Sequence, residues 1–301
     1  MSEQTVVETP EESPAGPLLV LPTVPRFERL LDSTAAVFTA FLLLAAIALA
    51  TAWFTVHTRQ PQELTAQADV IRTHVILSHW LDEGYFHYVG LINHTPKQTA
   101  IYRNTTGAYM VSSFVVQKIF GLIYGRYSYR LLALHNQVVA MILAALAGLL
   151  SYRLARRFGL EPRLALAAGG AVVIVLFTFP ESLQLYWTIT AQAYGVLFPL
   201  IYLILEERSL DRSPRPRALL IAQAGVIFLM TSMEMIFALG FVASLAAATL
   251  FLRRGESFKR FFLIVALPCV AALALYQLQM KIALARFPNI PTEGSNMMFR
   301  T

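Results

Sequence analysis

The chain has 301 residues, 56% of them hydrophobic and only 14% charged, against about 25% charged in ordinary soluble proteins, and its mean hydropathy is +0.57. Such a composition cannot cover a water-facing surface, so a soluble globular enzyme is excluded, and the long apolar blocks exclude the alternating strands of a membrane barrel. The formal charge of +6 does not indicate nucleic acid, because Lys and Arg flank apolar blocks rather than forming a patch with aromatics. The fold class read from the sequence is all-α, a polytopic helical membrane protein.

Residues 1–30 are rich in Glu, Pro, Ser and Thr and read as a disordered acidic tail on the cytoplasmic side. The stretch Thr34–Val56 is free of charge over 23 residues, about 35 Å of helix and enough to cross a bilayer core. With no small-residue cleavage site standing out after it, it reads as an uncleaved signal-anchor. Six further apolar blocks follow, near Leu131–Ser151, Leu164–Phe179, Thr188–Leu205, Ala218–Met233, Met235–Leu252 and Phe261–Leu278. As one helix, Ala218–Leu252 would be about 52 Å long with Glu234 at its middle, too long for a single crossing. A hairpin turning at Thr231–Glu234 is expected instead. Cys269, the single cysteine, lies inside the last block, so an intrachain disulfide and a CxxC site are excluded.

The loops around Arg153–Arg163, Arg208–Arg217 and Arg253–Arg260 hold twelve Lys or Arg residues, and the two turns between them hold none. The positive-inside rule then places the N-terminus in the cytoplasm and the C-terminal segment 281–301 outside, after a seventh span. A large outside loop, residues 57–130, separates the first two spans. Within it Ala66–Ile92 and Gly107–Tyr124 carry the spacing of interfacial helices with one face towards lipid. The transmembrane module as a whole is read as residues 31–280.

The densest chemistry in that loop runs from His79 to His87. Asp82 and Glu83 are adjacent carboxylates that could serve as a general base or hold a divalent cation against a phosphate; the same pair also describes the solvated face of an amphipathic helix. His79, Glu83 and His87 repeat at i, i+4 and i+8, a spacing metal ligation can use. Tyr102 and Arg103 stand before the second interfacial helix, where a guanidinium can grip a phosphate or simply anchor the interface. His135 and Asn136 open the second span, facing a headgroup pocket or a neighbouring helix. Glu181, Gln192 and Glu234 end on the same side of the membrane as Asp82.

A first span, an outside loop with an Asp–Glu pair and interfacial helices resembles the GT-C class of membrane glycosyltransferases, which includes protein O-mannosyltransferases and aminoarabinose transferases. The segments Tyr102-Arg103 to Phe120-Gly121, Tyr129-Arg130-Leu131, Tyr152 to Gly159 and Leu229 to Glu234 are similar to the loop and span ends of that class. The resemblance spans about residues 30–280. It implies a sugar transfer from a polyprenyl-phosphate donor to an acceptor hydroxyl, with Asp82 or Glu83 as the acidic residue and a divalent cation as the only cofactor. Relatives of that class continue past the seventh span, so the resemblance implies their shared seven-span half, with 281–301 a truncated outside segment. The family's acidic pair also lies closer to the first span than Asp82 does. The expected location is the bacterial inner membrane. A non-catalytic lipid-binding or assembly subunit on the same scaffold is the second expectation. A transporter comes third, because the spans are nearly free of charge and the polar groups gather at one face rather than at the midplane.

Overall fold

A computed structural model describes residues 31, 33–59, 76–82, 92–94, 99–102, 110–124, 129–178, 191–210, 214–252, 256–289 and 292–293. They form an apolar helical bundle of membrane-protein type. Its helices are α1 (Thr34–Arg59), α2 (Val111–Tyr124), α3 (Tyr129–Arg157), α4 (Pro162–Thr178), α5 (Ala191–Leu210), α6 (Arg217–Met233), α7 (Met235–Leu252), α8 (Glu256–Phe261) and α9 (Leu267–Arg286). Residues 76–82 are also helical.

Three stretches, Thr34–Ala52, Leu134–Arg157 and Phe258–Arg286, are long and apolar enough to cross a membrane; α2, α4, α6 and Met235–Phe251 are shorter apolar helices. Large apolar side chains such as Ile47, Phe54 and Val270 stand 65%, 71% and 60% exposed on these helices. That pattern is costly against water and costless against lipid.

The helix boundaries follow local chemistry. α6 and α7 are separated by Glu234 alone, whose backbone at φ −145° and ψ 89° leaves the helical region. Gln223 of α6 bonds Glu206, and Leu245, Ala248 and Thr249 of α7 line a cavity with that same Glu206. The two helices therefore run side by side in opposite directions, the hairpin expected from length. Between α8 and α9, residues Phe262–Ala266 widen into a π-turn, with the Leu267 N–H bonding the Phe262 carbonyl. Pro268 explains it: its ring has no N–H and crowds the carbonyl four residues back, so a looser turn there relieves the clash.

α1, α3 and α4 meet at two glycines. A Cβ placed on Gly169 would lie 2.6 Å from the Gly148 carbonyl oxygen and against the Phe41 ring, and one on Gly148 would lie 2.8 Å from Val173 Cγ2. Backbone thus touches backbone under an aromatic lid, as small residues allow in membrane helices. The second half of the bundle packs Tyr194, Phe198 and Tyr202 of α5 with Val226, Ile227 and Met230 of α6 and Cys269 of α9.

Among the described residues, the arginines at the end of α3, before α6 and on α8 come together at the end of α5. Tyr152 donates to the Leu31 carbonyl and Arg153 to Thr34 Oγ1, bringing the end of α3 to the start of α1. Arg153 Nε lies 2.5 Å from Glu207 Oε2 on the last turns of α5. The neighbouring Glu206 is paired with the Arg260 guanidinium, accepts from Gln223 Nε2 at 2.8 Å, and lies 3.3 Å from Arg215 Nη1. Glutamates at a helix C-terminus oppose its dipole; here arginines from three other segments offset that.

A small sheet is an addition to the all-helical expectation. β1 (Ile92–His94) pairs antiparallel with β2 (Thr99–Tyr102), and β2 pairs parallel with β3 (Thr292–Glu293). The segment after α9 is thereby joined to the loop between α1 and α2.

Candidate functional site at the loop-capped end

The end of the bundle opposite the arginines is covered by two loop elements. In the helical stretch 76–82, Ile76, Leu77, Trp80 and Leu81 recur on one face and are buried, Trp80 completely. They pack with Met110, Tyr276 and Ala283, with Met235 and Phe114 at the margin, and the Trp80 and Phe114 rings meet edge to face at 6.5 Å. Asp82 lies about 200° around the helix from Trp80 and is exposed, while His79 is half-buried between the two faces. The buried tryptophan thus fixes a short segment whose outer face carries Asp82. Lys118 of α2 donates to the carbonyl of Leu81, one residue before Asp82, at 3.5 Å.

α2 is inverted relative to a helix on a water-soluble protein. Its buried residues are Ser113 and Gln117, 1% and 2% exposed, whereas Leu122 and Ile123 on the far side are 80% and 67% exposed. Ser112 Oγ lies 2.7 Å from the Tyr194 hydroxyl of α5, and Ser113 Oγ lies 3.1 Å from His135 Nδ1 of α3. His135 Nδ1 also lies 3.3 Å from Asn136 Oδ1. Both contacts use the same ring nitrogen, so one tautomer can donate to only one of them. The arrangement is a hydrogen-bonded clamp between helices, and among the described residues both contacts of the ring fall on Nδ1.

Glu234 stands at the turn beside this clamp. It is 5% exposed, and its Cγ would be 3.3 Å from a Cβ on Gly195, next to Tyr194. The backbone N–H groups of Ile236 and Phe237 donate to its carboxylate, which caps the start of α7. Burial raises its pKa, the larger effect, and the two amides lower it.

The structure thus brings Asn136, His135 and Glu234 to the loop-capped end, together with Asp82 and His79 on the covering segment. Glu83, His87, Arg103 and Glu181 lie outside the described residues, and of Tyr102 and Gln192 only the backbone is described. Among the described residues no three His, Cys, Asp or Glu side chains gather as a metal site would need; the His79–Glu83–His87 run falls largely outside them. Sequence reasoning missed Ser112, Ser113, Gln117 and Lys118. The signal was present, since the first three form a polar stripe at helical spacing within an otherwise apolar stretch. It also missed Glu206, Glu207 and Gln223, although a Glu pair closing an apolar helix among arginine loops asks for partners. Comparison of the chain with protein-family models, with curated proteins and with solved structures finds no match in any of the three.

Proposed function

We propose that the chain is a membrane glycosyltransferase of GT-C-like architecture. It would cross the membrane seven times through α1, α3–α7 and α8–α9, and move a sugar from a polyprenyl-phosphate donor to an acceptor hydroxyl. The helices alternate in direction between the arginine end and the loop-capped end, which supports seven crossings. At 17 residues each, α4 and α6 are about 25 Å long, near the short limit for a span. With the arginine end inside, the N-terminus is cytoplasmic and the site faces outward, in a bacterial inner membrane.

The single observation carrying this reading is α2 with its polar face inward and its apolar face outward, beside the segment that carries Asp82. A polyprenyl donor keeps its tail in lipid while its phosphate sits at headgroup level. A platform that is apolar towards lipid and polar towards the protein suits that split. In the proposed reaction the acceptor oxygen attacks the anomeric carbon, the bond from that carbon to the phosphate oxygen breaks, and polyprenyl phosphate leaves. The proton of the hydroxyl passes to the carboxylate of Asp82 or Glu83; with a divalent cation bound, the same carboxylates would hold it against the phosphate. Tyr102 and Arg103 would hold the donor phosphate.

Asp82→Asn and Glu83→Gln separately test the assignment. Membranes carrying each variant are assayed for loss of sugar from a polyprenyl-phosphate donor, with protein level followed in parallel. Loss of transfer by at least about a hundredfold in one variant is expected for a general base. Full transfer in both removes the catalytic role. A second reading, a non-catalytic lipid-binding or assembly subunit, is favoured by His135, which ties α3 to α2, and by Glu234, whose carboxylate is engaged in capping α7. It calls for a bound polyprenyl phosphate that survives both substitutions and is never turned over, detectable by native mass spectrometry.

A further inference from the structure

At the arginine end a cavity of about 440 Å³ opens between the start of α1, the end of α3 and the end of α5. That volume falls within the ~300–1,000 Å³ typical of ligand sites. Its polar wall holds the guanidinium groups of Arg153, Arg156 and Arg157 against one carboxylate, Glu207. The described lining therefore carries two more positive charges than negative. Glu207 takes Arg153 at 2.5 Å, and both its carboxylate and its backbone carbonyl lie 3.4 Å from Arg157 Nη2, so those two guanidinium groups are engaged. Arg156 donates one N–H to the Leu160 carbonyl at 2.9 Å, out of the five a guanidinium possesses. The Arg156 fork, with N–H groups to spare and two more guanidinium groups beside it, matches the several oxygens of a phosphate.

The opposite wall is apolar, formed by Leu31, Leu149 and the ring of Tyr152. Just beyond the arginines Phe158 and Leu164 are 83% and 59% exposed. Basic side chains bordered by exposed apolar ones occur at the depth where a lipid headgroup meets its acyl chains. A free phosphate ion has no use for such a border.

We propose that this cavity binds a phosphate-bearing anion, and that its occupant is the headgroup of an anionic phospholipid held by Arg156, with the Arg153 and Arg157 guanidinium groups adding positive field at the wall. The site lies at the far end of the bundle from Asp82 and does not depend on the glycosyltransferase reading.

The test uses the full chain, delipidated and then offered phosphatidylglycerol, phosphatidylcholine or inorganic phosphate, with retained lipid counted by native mass spectrometry. The wild-type chain is expected to retain phosphatidylglycerol in preference to phosphatidylcholine. Arg156→Gln should weaken that retention about tenfold, as loss of one charge-assisted contact does. Arg156→Lys, which keeps the charge and loses the fork, should fall between. Arg163→Gln, at the same end but outside the cavity lining, should retain lipid like wild type. Equal retention of the two lipids, or equal losses in Arg156→Gln and Arg163→Gln, would overturn the site in favour of diffuse surface charge. Thermal stabilisation by inorganic phosphate that disappears in Arg156→Gln, without retention of phosphatidylglycerol, would overturn the lipid as occupant.

Discussion

Ser112 Oγ and the Tyr194 hydroxyl lie 2.7 Å apart, and that contact ties a helix of the loop to a helix of the bundle. With Tyr194 only 6% exposed, its hydroxyl has no bulk water as a ready substitute. Tyr194→Phe is expected to cost about 0.5–1.5 kcal/mol. Unfolding in detergent of Tyr194→Phe, Ser112→Ala and the double variant checks this: the double should cost less than the sum of the singles, whereas strict additivity would mean the bond contributes nothing.

The Gly148–Gly169 contact gives a sharper expectation. Nothing larger than hydrogen fits at Gly169, because the Phe41 ring and the Gly148 carbonyl occupy the space a Cβ would need. Gly169→Val should destabilise by about 1–3 kcal/mol through forced separation of α1, α3 and α4. Gly225, where an added Cβ meets nothing within 4 Å, provides the control, and Gly225→Ala should be neutral or slightly stabilising. Melting temperatures of the two variants decide it; similar values would remove the close approach as a determinant.

Removing one partner from the Glu206 cluster should be expensive. Glu206→Gln leaves the Arg260 and Arg215 guanidinium groups facing a neutral amide, and breaking such a partly buried pair costs about 3–5 kcal/mol. Arg260→Met together with Glu206→Leu should recover much of that loss, because the uncompensated charge disappears with its partner. Expression level and thermal stability of the single and double variants read this out. A double variant as unstable as the single would mean that the cluster acts through shape rather than charge.

Glu234 fixes the sign of a pH effect. Burial raises its pKa above the ordinary 4.5, so above that pH the folded state holds a proton that the unfolded chain has released. Stability is therefore greatest below 4.5 and falls as pH rises through the raised folded value. Glu234→Gln keeps an acceptor for the Ile236 and Phe237 amides and cannot ionise. Its stability should change less with pH across that window, measured as melting temperature in detergent. A pH slope identical to wild type would assign the effect to another group.

The elements that the sequence made legible are those whose signal is long and local. A charge-free block of 23 residues, Thr34–Val56, can only be a helix in lipid, and the length of Ala218–Leu252 required the break that Glu234 makes. The shared arginine end also followed from counting charges in loops. The pairings were not legible, because they join residues far apart. Glu206 meets Arg260 across 54 positions, and β2 meets β3 through strands of four and two residues, too short for any periodicity. At the candidate site Trp80 illustrates both sides. Its place near an amphipathic run was readable, but its complete burial against Tyr276 and Ala283 depends on a helix almost two hundred residues later.

The inverted polarity of α2 also sets an order of assembly. During synthesis α2 is made before either helix that satisfies its polar face. His135 arrives 22 residues after Ser113, and Tyr194 arrives 82 residues after Ser112. Until then Ser112 and Ser113 must be served by water, while the apolar side of the helix already favours lipid. At 14 residues, about 21 Å, α2 is too short to wait as a span of its own. It is therefore expected to rest at the membrane surface as a loose segment and to lock down only once α5 is in place. Seating of this loop would then report that the bundle beneath it is complete, so a cysteine in place of Ser113, a position 1% exposed in the finished chain, should be alkylated in a chain stalled before α5 and protected in a finished one.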